Sequence, residues 1–276
     1  MTRRRRPEGR NPNVGAEGRD QKEGQTAKLE ELTKYMTEKQ SGEITIRPVA
    51  MFRSPFTSKF GIPRQSGIVD EVEGQIVFTP EFRREEAIRE IEGFDYLWLI
   101  WGFSGNTGKW GMTVRPPRLG GNKAVGVFAS RSPFRPNGLG LSSVKLTGIC
   151  TEGPDAPYLT VCGADLMDGT PIYDIKPYVR YSDSHPEAKS GFTDETQWHE
   201  AEVVFPDELK TKFLRLRNDK TDPDKATAAL TKTLAQRPIP QYNSDGERIY
   251  GMPFMGCDIR FRATADIITL TDIIKL

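Results

Sequence analysis

No run of about 18 apolar residues occurs anywhere in the 276-residue chain, so the sequence offers no helix suited to crossing a membrane. The opening "MTRRRR" is basic but is not followed by the apolar segment of a secretory signal, and the expected compartment is the cytoplasm. Cysteine is scarce. Cys150, Cys162 and Cys257 form no CxxC pair, and an odd count does not suit a disulfide framework, so all three are read as reduced, structural thiols. Histidine is scarcer still, and neither His185 nor His199 stands in the spacing of a zinc site. No protein-bound metal is expected, and both histidines are read as solvated loop residues. A GxGxxG after a strand, a GxxxxGK[ST] loop and a GxSxG elbow are also missing, which removes the main support for Rossmann, P-loop and α/β-hydrolase readings.

The most informative absence is local. Residues 104–148 contain no Asp or Glu, yet they hold Lys109, Arg115, Arg118, Lys123, Arg131, Arg135 and Lys145. A net charge of +1 for the whole chain conceals this block. Seven uncompensated cations in one stretch make a local field for an anionic partner, rather than a general solubility shell.

What is present is enough for a core, at 36% hydrophobic residues. Residues 1–43 read as a basic, largely disordered arm, with a short helix expected over 27–39 that sets Leu29, Leu32 and Met36 on one side. From Ile44 the texture becomes strand-like: "ITIRPVAMF", "GQIVFT", "YLWLIWGF", "AVGVFAS", "LSSVKLTGI", "YLTVCGADL" and "EAEVVF". The Gly, Pro, Asn and Asp clusters between them leave little room for crossover helices. The expected architecture is therefore mainly β, with an antiparallel barrel-like domain over 44–205. One helix is expected inside it, starting at Thr79 and Pro80 and stopped by Gly93. Beyond Pro206, "DELKTKFLRLR" and "PDKATAALTKTLAQ" read as helices and "CDIRFRAT" and "DIITLT" as strands, giving a smaller α+β domain over 206–276.

Four stretches carry candidate chemistry. In "KFGIPRQSG", residues 59–67, Pro63 stiffens the chain beside the donor-rich Arg64 and Gln65; the same stretch also reads as an ordinary turn. In "TVRPPRLGGNKAVGVFASRSPFRPNGLGLS", prolines restrict the backbone next to Arg115, Arg118 and Arg135, which lowers the ordering cost of gripping a carboxylate or phosphate. In "GADLMDGTPIYDIKPY", Asp165, Asp168 and Asp174 invite an acid/base role, although turn chemistry accounts for Asp168 unaided. In "YLWLIWGFSGNTGKWGM", Trp98 and Trp101 are read as core, and the segment after Phe103 as the lip of a pocket.

Taken in order, "FRSPF", "GIPRQSG", "TVRPPRLGGN", "GVFASRSPFRPNGLGLS", "DLMDGTPIYDIKPY" and "QRPIPQY" resemble the TsaA-like family of S-adenosylmethionine-dependent tRNA adenine N6-methyltransferases. The resemblance runs from about residue 44 to the C-terminus and leaves out the basic arm. It implies a β-barrel that binds the methyl donor, a small C-terminal domain, and a homodimer with the site near the subunit interface. It also implies a tRNA partner whose acceptor is a threonylcarbamoyl-adenosine beside the anticodon.

Position by position, the resemblance assigns donor binding to Pro63, Arg64, Gln65, Arg131, Asp165, Leu166, Met167 and Asp168. Ser104 and Gly105 stand where many relatives have His-Gln, so backbone contacts carry over there and an imidazole does not. "PNG" at 136–138 replaces a common "PNP". Arg115, Arg118, Lys123, Arg135 and Asn137 are the candidates for holding the acceptor and RNA, because tRNA brings phosphates and a threonylcarbamoyl group a carboxylate. Asp168 is the candidate base for the acceptor nitrogen. Two other readings stay open on the residues alone: a non-catalytic module that binds the donor or RNA, and a methyltransferase for a small molecule.

Overall fold

Residues 42–106, 108–196, 199–239 and 246–276 are described by the computed structural model. The helix expected over 27–39 and nearly all of the basic arm lie outside them. Pro48–Leu276 forms a unit with two hydrophobic cores.

Six antiparallel strands close into a barrel. In chain order they are β1 (Ala50–Arg53), β2 (Glu73–Phe78), β3 (Tyr96–Gly102), β6 (Leu139–Cys150), β7 (Tyr158–Cys162) and β8 (Thr170–Pro177). Around the barrel they run β1-β2-β7-β6-β3-β8. Alternation explains the closure: Leu97 and Leu99 of β3, Leu159 and Val161 of β7, and Phe52, Ile76 and Ile172 all point inward and are fully buried. Closing the ring leaves no unpaired edge. The two-stranded ribbon β4 (Thr113–Val114) and β5 (Val125–Gly126) stands apart within the cation-rich block.

Two expectations in this half are corrected. The segment from Thr79 to Gly93 is not one helix but two 3-10 turns, Glu85–Ile88 and Ile91–Gly93, separated by Glu90 at φ 66°. The Thr79 hydroxyl donates to Val49 O instead of capping, while Phe82, Ile88 and Ile91 each turn toward the barrel core. An unbroken helix this short gains little without a face to bury, so tertiary contacts decide the path. "AVGVFAS" is not a long strand either. Pairing stops at Gly126, and a 3-10 turn over Val127–Ala129 buries Val127 and leaves Phe128 outside.

The second sheet contains β9 (Glu202–Val204), β10 (Ile249–Phe254), β11 (Cys257–Ala263) and β12 (Ile267–Lys275), in the order β10-β11-β12-β9. β9 runs parallel to β12, so "EAEVVF" joins this sheet and not the barrel. Its three paired residues lie upstream of Pro206, and the change from one sheet to the other comes before that proline. Two helices pack with the sheet: α1 (Asp207–Leu216) and α2 (Pro223–Ala235). Asp222 caps α2 by accepting from the N–H groups of Asp224 and Lys225, with Pro223 in the first turn. Ala226, Ala229, Leu230, Thr233 and Leu234 then make its buried stripe at helical spacing.

The loop between β1 and β2 ties the two halves together. Phe56, Val69 and Val72 leave the barrel and enter the second core, where the Phe56 ring lies 5.3 Å from that of Phe254. Backbone bonds pin the loop on both sides: Met255 N–H donates to Pro55 O at 3.3 Å, and Gly67 N–H donates to Gly163 O at 2.8 Å. Lys225 pairs with Glu73 at 3.3 Å and Lys232 with Glu71, so α2 is also tethered to this strip.

Candidate active site

The loop held between the cores carries Pro63, Arg64 and Gln65 to the rim of a cleft of about 630 Å³. Its walls are the β1–β2 loop, β3 with the start of the β3–β4 connection, the 130–135 loop, the start of β6, and the turn before β8. Lys59, Arg64, Arg131 and Arg135 bring cations to it, and Asp165 is the carboxylate on its wall among the described residues. Trp98, Trp101, Phe103 and Phe134 supply the apolar surface.

Asp165 is held by a defined chain of hydrogen bonds. Trp101 Nε1 donates to Ser142 Oγ at 2.9 Å, and the Ser142 hydroxyl donates to Asp165 Oδ1 at 2.5 Å. Burial pushes the Asp165 carboxyl above its ordinary value. The Ser142 hydroxyl, its own backbone N–H, the Arg131 charge and the Ser66 N–H pull the other way without cancelling that effect. A half-desolvated carboxyl among cations is suited to holding an ammonium or receiving a proton.

The guanidiniums converge as the sequence suggests, but unevenly. Arg131 Nη1 donates to Gln65 Oε1 at 2.6 Å, joining two walls of the cleft. Arg135 Nη1 donates to Ser130 O at 3.1 Å and Ser132 O at 3.4 Å, so its own loop fixes its direction. Arg64 is pushed below its ordinary value by partial burial, then by the charges of Arg118 and Arg237. Arg118 therefore shares Arg64's field without lining the cleft. Arg115, Lys123 and Asn137 are exposed and lie outside the lining as well.

Of the residues assigned to the donor, Pro63, Arg64, Gln65, Ser104, Gly105, Arg131, Asp165 and Met167 are brought together. Leu166 and Asp168 are not. Leu166 is fully buried in the barrel core. Asp168, the candidate base, accepts on Oδ1 from Ser54 N–H at 3.0 Å, and its own N–H donates to Phe56 O at 2.8 Å. Those bonds tie it to the base of the β1–β2 loop, away from the lining.

Sequence reasoning also missed residues. Trp98 and Trp101 face the cleft as well as the packing around them, which an inward-outward count along β3 does not reveal. Lys59 opens the very stretch that drew attention to Arg64, and its uncompensated charge was the available signal. Arg237 belongs to the "QRPIPQY" motif, whose residues 240–242 lie outside those described. His185 and His199 are both exposed and away from the cleft. In the "PNG" turn Gly138 takes φ 55°, a left-handed value closed to proline, so this turn differs in path from one built on "PNP".

A closed barrel with a cation-rimmed, aromatic-walled cleft is suited to a small ligand that carries a planar ring and a carboxylate. Comparison makes that specific: residues 51–184 match the tRNA-methyltransferase O N-terminal domain and residues 199–276 match the TrmO C-terminal domain, and the chain belongs to this family. It is 36% identical over 219 residues to the tRNA (adenine(37)-N6)-methyltransferase of Escherichia coli (strain K12), covering 78% of this chain and 92% of that protein. The human tRNA (adenine(37)-N6)-methyltransferase is 34% identical over 182 residues, or 62% of this chain and 39% of that longer protein. Among solved structures, TrmO from Pseudomonas aeruginosa superposes with a TM-score of 0.65 at 30% identity, over 84% of this chain and 98% of that one.

Proposed function

We infer that the protein is an S-adenosylmethionine-dependent methyltransferase acting on N6 of adenine 37 in tRNA, the activity for which its Escherichia coli and human relatives are named. The observation that carries this reading is the convergence of Arg64, Gln65, Arg131 and Asp165 in one cleft of a barrel of this family. We extend it to a threonylcarbamoyl-adenosine acceptor, whose carboxylate suits a cationic rim.

The cleft fits the donor in size and in chemistry. Its volume falls within the range of small-molecule sites, and Asp165 offers a negative charge to an ammonium while Arg131 offers a fork to a carboxylate. Pro63, Arg64, Gln65, Ser104, Gly105, Arg131, Asp165 and Met167 would hold it. When bound, S-adenosylmethionine supplies a methyl carbon made electrophilic by its sulfonium. The protein's part would then be positional: Gln65 steers Arg131, Ser142 steers Asp165, and the aromatic walls would limit water around the acceptor. The acceptor nitrogen gives up a proton as it is methylated, and Asp165 is the carboxylate on the cleft wall that would receive it.

Arg115, Arg118, Lys123, Arg135 and Asn137 are assigned to the RNA. Trp110, Met112 and Phe128 expose 50%, 71% and 78% of their surface around the β4–β5 ribbon, an apolar patch that suits a homodimer contact. We place the protein in the cytoplasm with its tRNA; no helix among the described residues is long and apolar enough to cross a membrane.

Mass spectrometry of tRNA nucleosides from cells with and without the protein tests the activity. The expected result is one methyl missing from the modified adenosine, and identical nucleosides would overturn it. Salt tests the RNA assignment separately. Four engaged cations should give a log affinity against log salt slope on the order of −3 to −4, with Arg115→Ala lowering its magnitude by about 1. A flat line would point instead to a small-molecule acceptor.

A further inference from the structure

Lys59 stands in the cleft without an assigned role. Its side chain lies along the β1–β2 loop and crosses Gly105: a β-carbon built on Gly105 would overlap Lys59 Cε and lie 3.2 Å from Nζ. Among the described residues no carboxylate pairs with this ammonium. Gly105 itself keeps an ordinary backbone, so the space above it, and not the shape of its chain, is what glycine provides there. The lysine occupies room that any larger side chain at 105 would claim. Packing thus couples the two positions.

We propose that Lys59 is a positioning residue for a substrate carboxylate, and that Gly105 is the clearance that lets its ammonium reach the cleft. This rests on the methyltransferase reading above. This ammonium shares the cleft with Arg64, Arg131 and Arg135, and that local excess of positive charge favours an anion settling there. Two carboxylates come to this site under that reading, one on the donor and one on a threonylcarbamoyl acceptor. A compact ammonium on a flexible stem meets either one as a point charge.

The test uses the full-length protein with Lys59→Gln, Lys59→Arg, Gly105→Ala and the double variant Lys59→Gln with Gly105→Ala. Calorimetric titration gives the donor Kd, and steady-state kinetics give KM and kcat for threonylcarbamoylated tRNA. Lys59→Gln should weaken one of the two by on the order of tenfold, the cost of one charge-assisted hydrogen bond. A raised donor Kd assigns the donor's carboxylate, and a raised acceptor KM with unchanged donor Kd assigns the acceptor's. Lys59→Arg should recover most of the loss. Gly105→Ala should reproduce part of it by pushing the ammonium aside, and the double variant should be no worse than Lys59→Gln alone. Thermal midpoints should stay together, since Lys59 is exposed and its tail can move. If wild-type protein methylates the tRNA while Lys59→Gln leaves both constants unchanged, the proposal is overturned. Additive losses in the double variant overturn the coupling. Failure of the wild type to methylate at all would instead overturn the methyltransferase reading.

Discussion

Replacing Asp165 with asparagine should reduce methyl transfer by about a hundredfold or more, the expected loss when the buried carboxylate proposed to face the donor's ammonium is neutralised. The exchange keeps the shape of the side chain, and its Oδ1 can still accept from Ser142, so the loss reports charge rather than collapse. The pH dependence of stability gives an independent reading. Burial raises the carboxyl of Asp165 in the folded protein, so the stability it lends is complete below the unfolded value near pH 4 and is lost as pH rises through the higher folded value. Asparagine has no such loss. The difference in thermal midpoint between variant and wild type should therefore move in the variant's favour from acid to neutral pH. A difference that stays flat, or moves the other way, would show that Asp165 is not the strained acid of the cleft. Turnover within a few-fold of wild type would remove it from the site.

Phe254→Ala should cost about 3–5 kcal/mol of stability, read from denaturant midpoints. The ring is fully buried, 5.3 Å from Phe56 and stacked with Phe213 at 6.4 Å. Truncation empties space between the second core and the loop that carries Arg64 and Gln65. Where the variant remains folded, its donor affinity should fall as well, because Phe56 loses the surface against which it packs. Phe205→Ala is the control: Phe205 packs on Phe213 at 6.4 Å in the same core. It should lower stability while leaving donor affinity near wild type. Equal effects of both variants on the donor would mean that core stability alone, and not the seat of Phe56, governs the loop.

Much of the barrel was legible because short β-branched or aromatic runs such as "YLWLIWGF" and "LSSVKLTGI" are cut by Gly, Pro, Asn and Asp clusters too closely spaced for crossover helices, and the two runs pair antiparallel as β3 and β6. The cation block was legible from the missing acids. What escaped was set by long-range contact. Nothing local in "TPEFRREEAIREIEG" distinguishes a helix from two short turns, since both present Ile88 and Ile91 to the barrel end. β10 carries Gly251 and Pro253, which argue against a strand, and it is tolerated because it forms the edge of its sheet. Asp165 and Asp168 look equivalent in "DLMD", and only the fold turns one toward the cleft and spends the other on Ser54.

The β1–β2 loop is anchored at both ends in the barrel and, through Phe56, Val69 and Val72, in the core of the neighbouring sheet. Neither half of the molecule can then drift alone in the course of evolution: a residue exchanged far down the chain, in α2 or beneath β10, is inherited by the donor's binding surface as a changed resting place for Arg64.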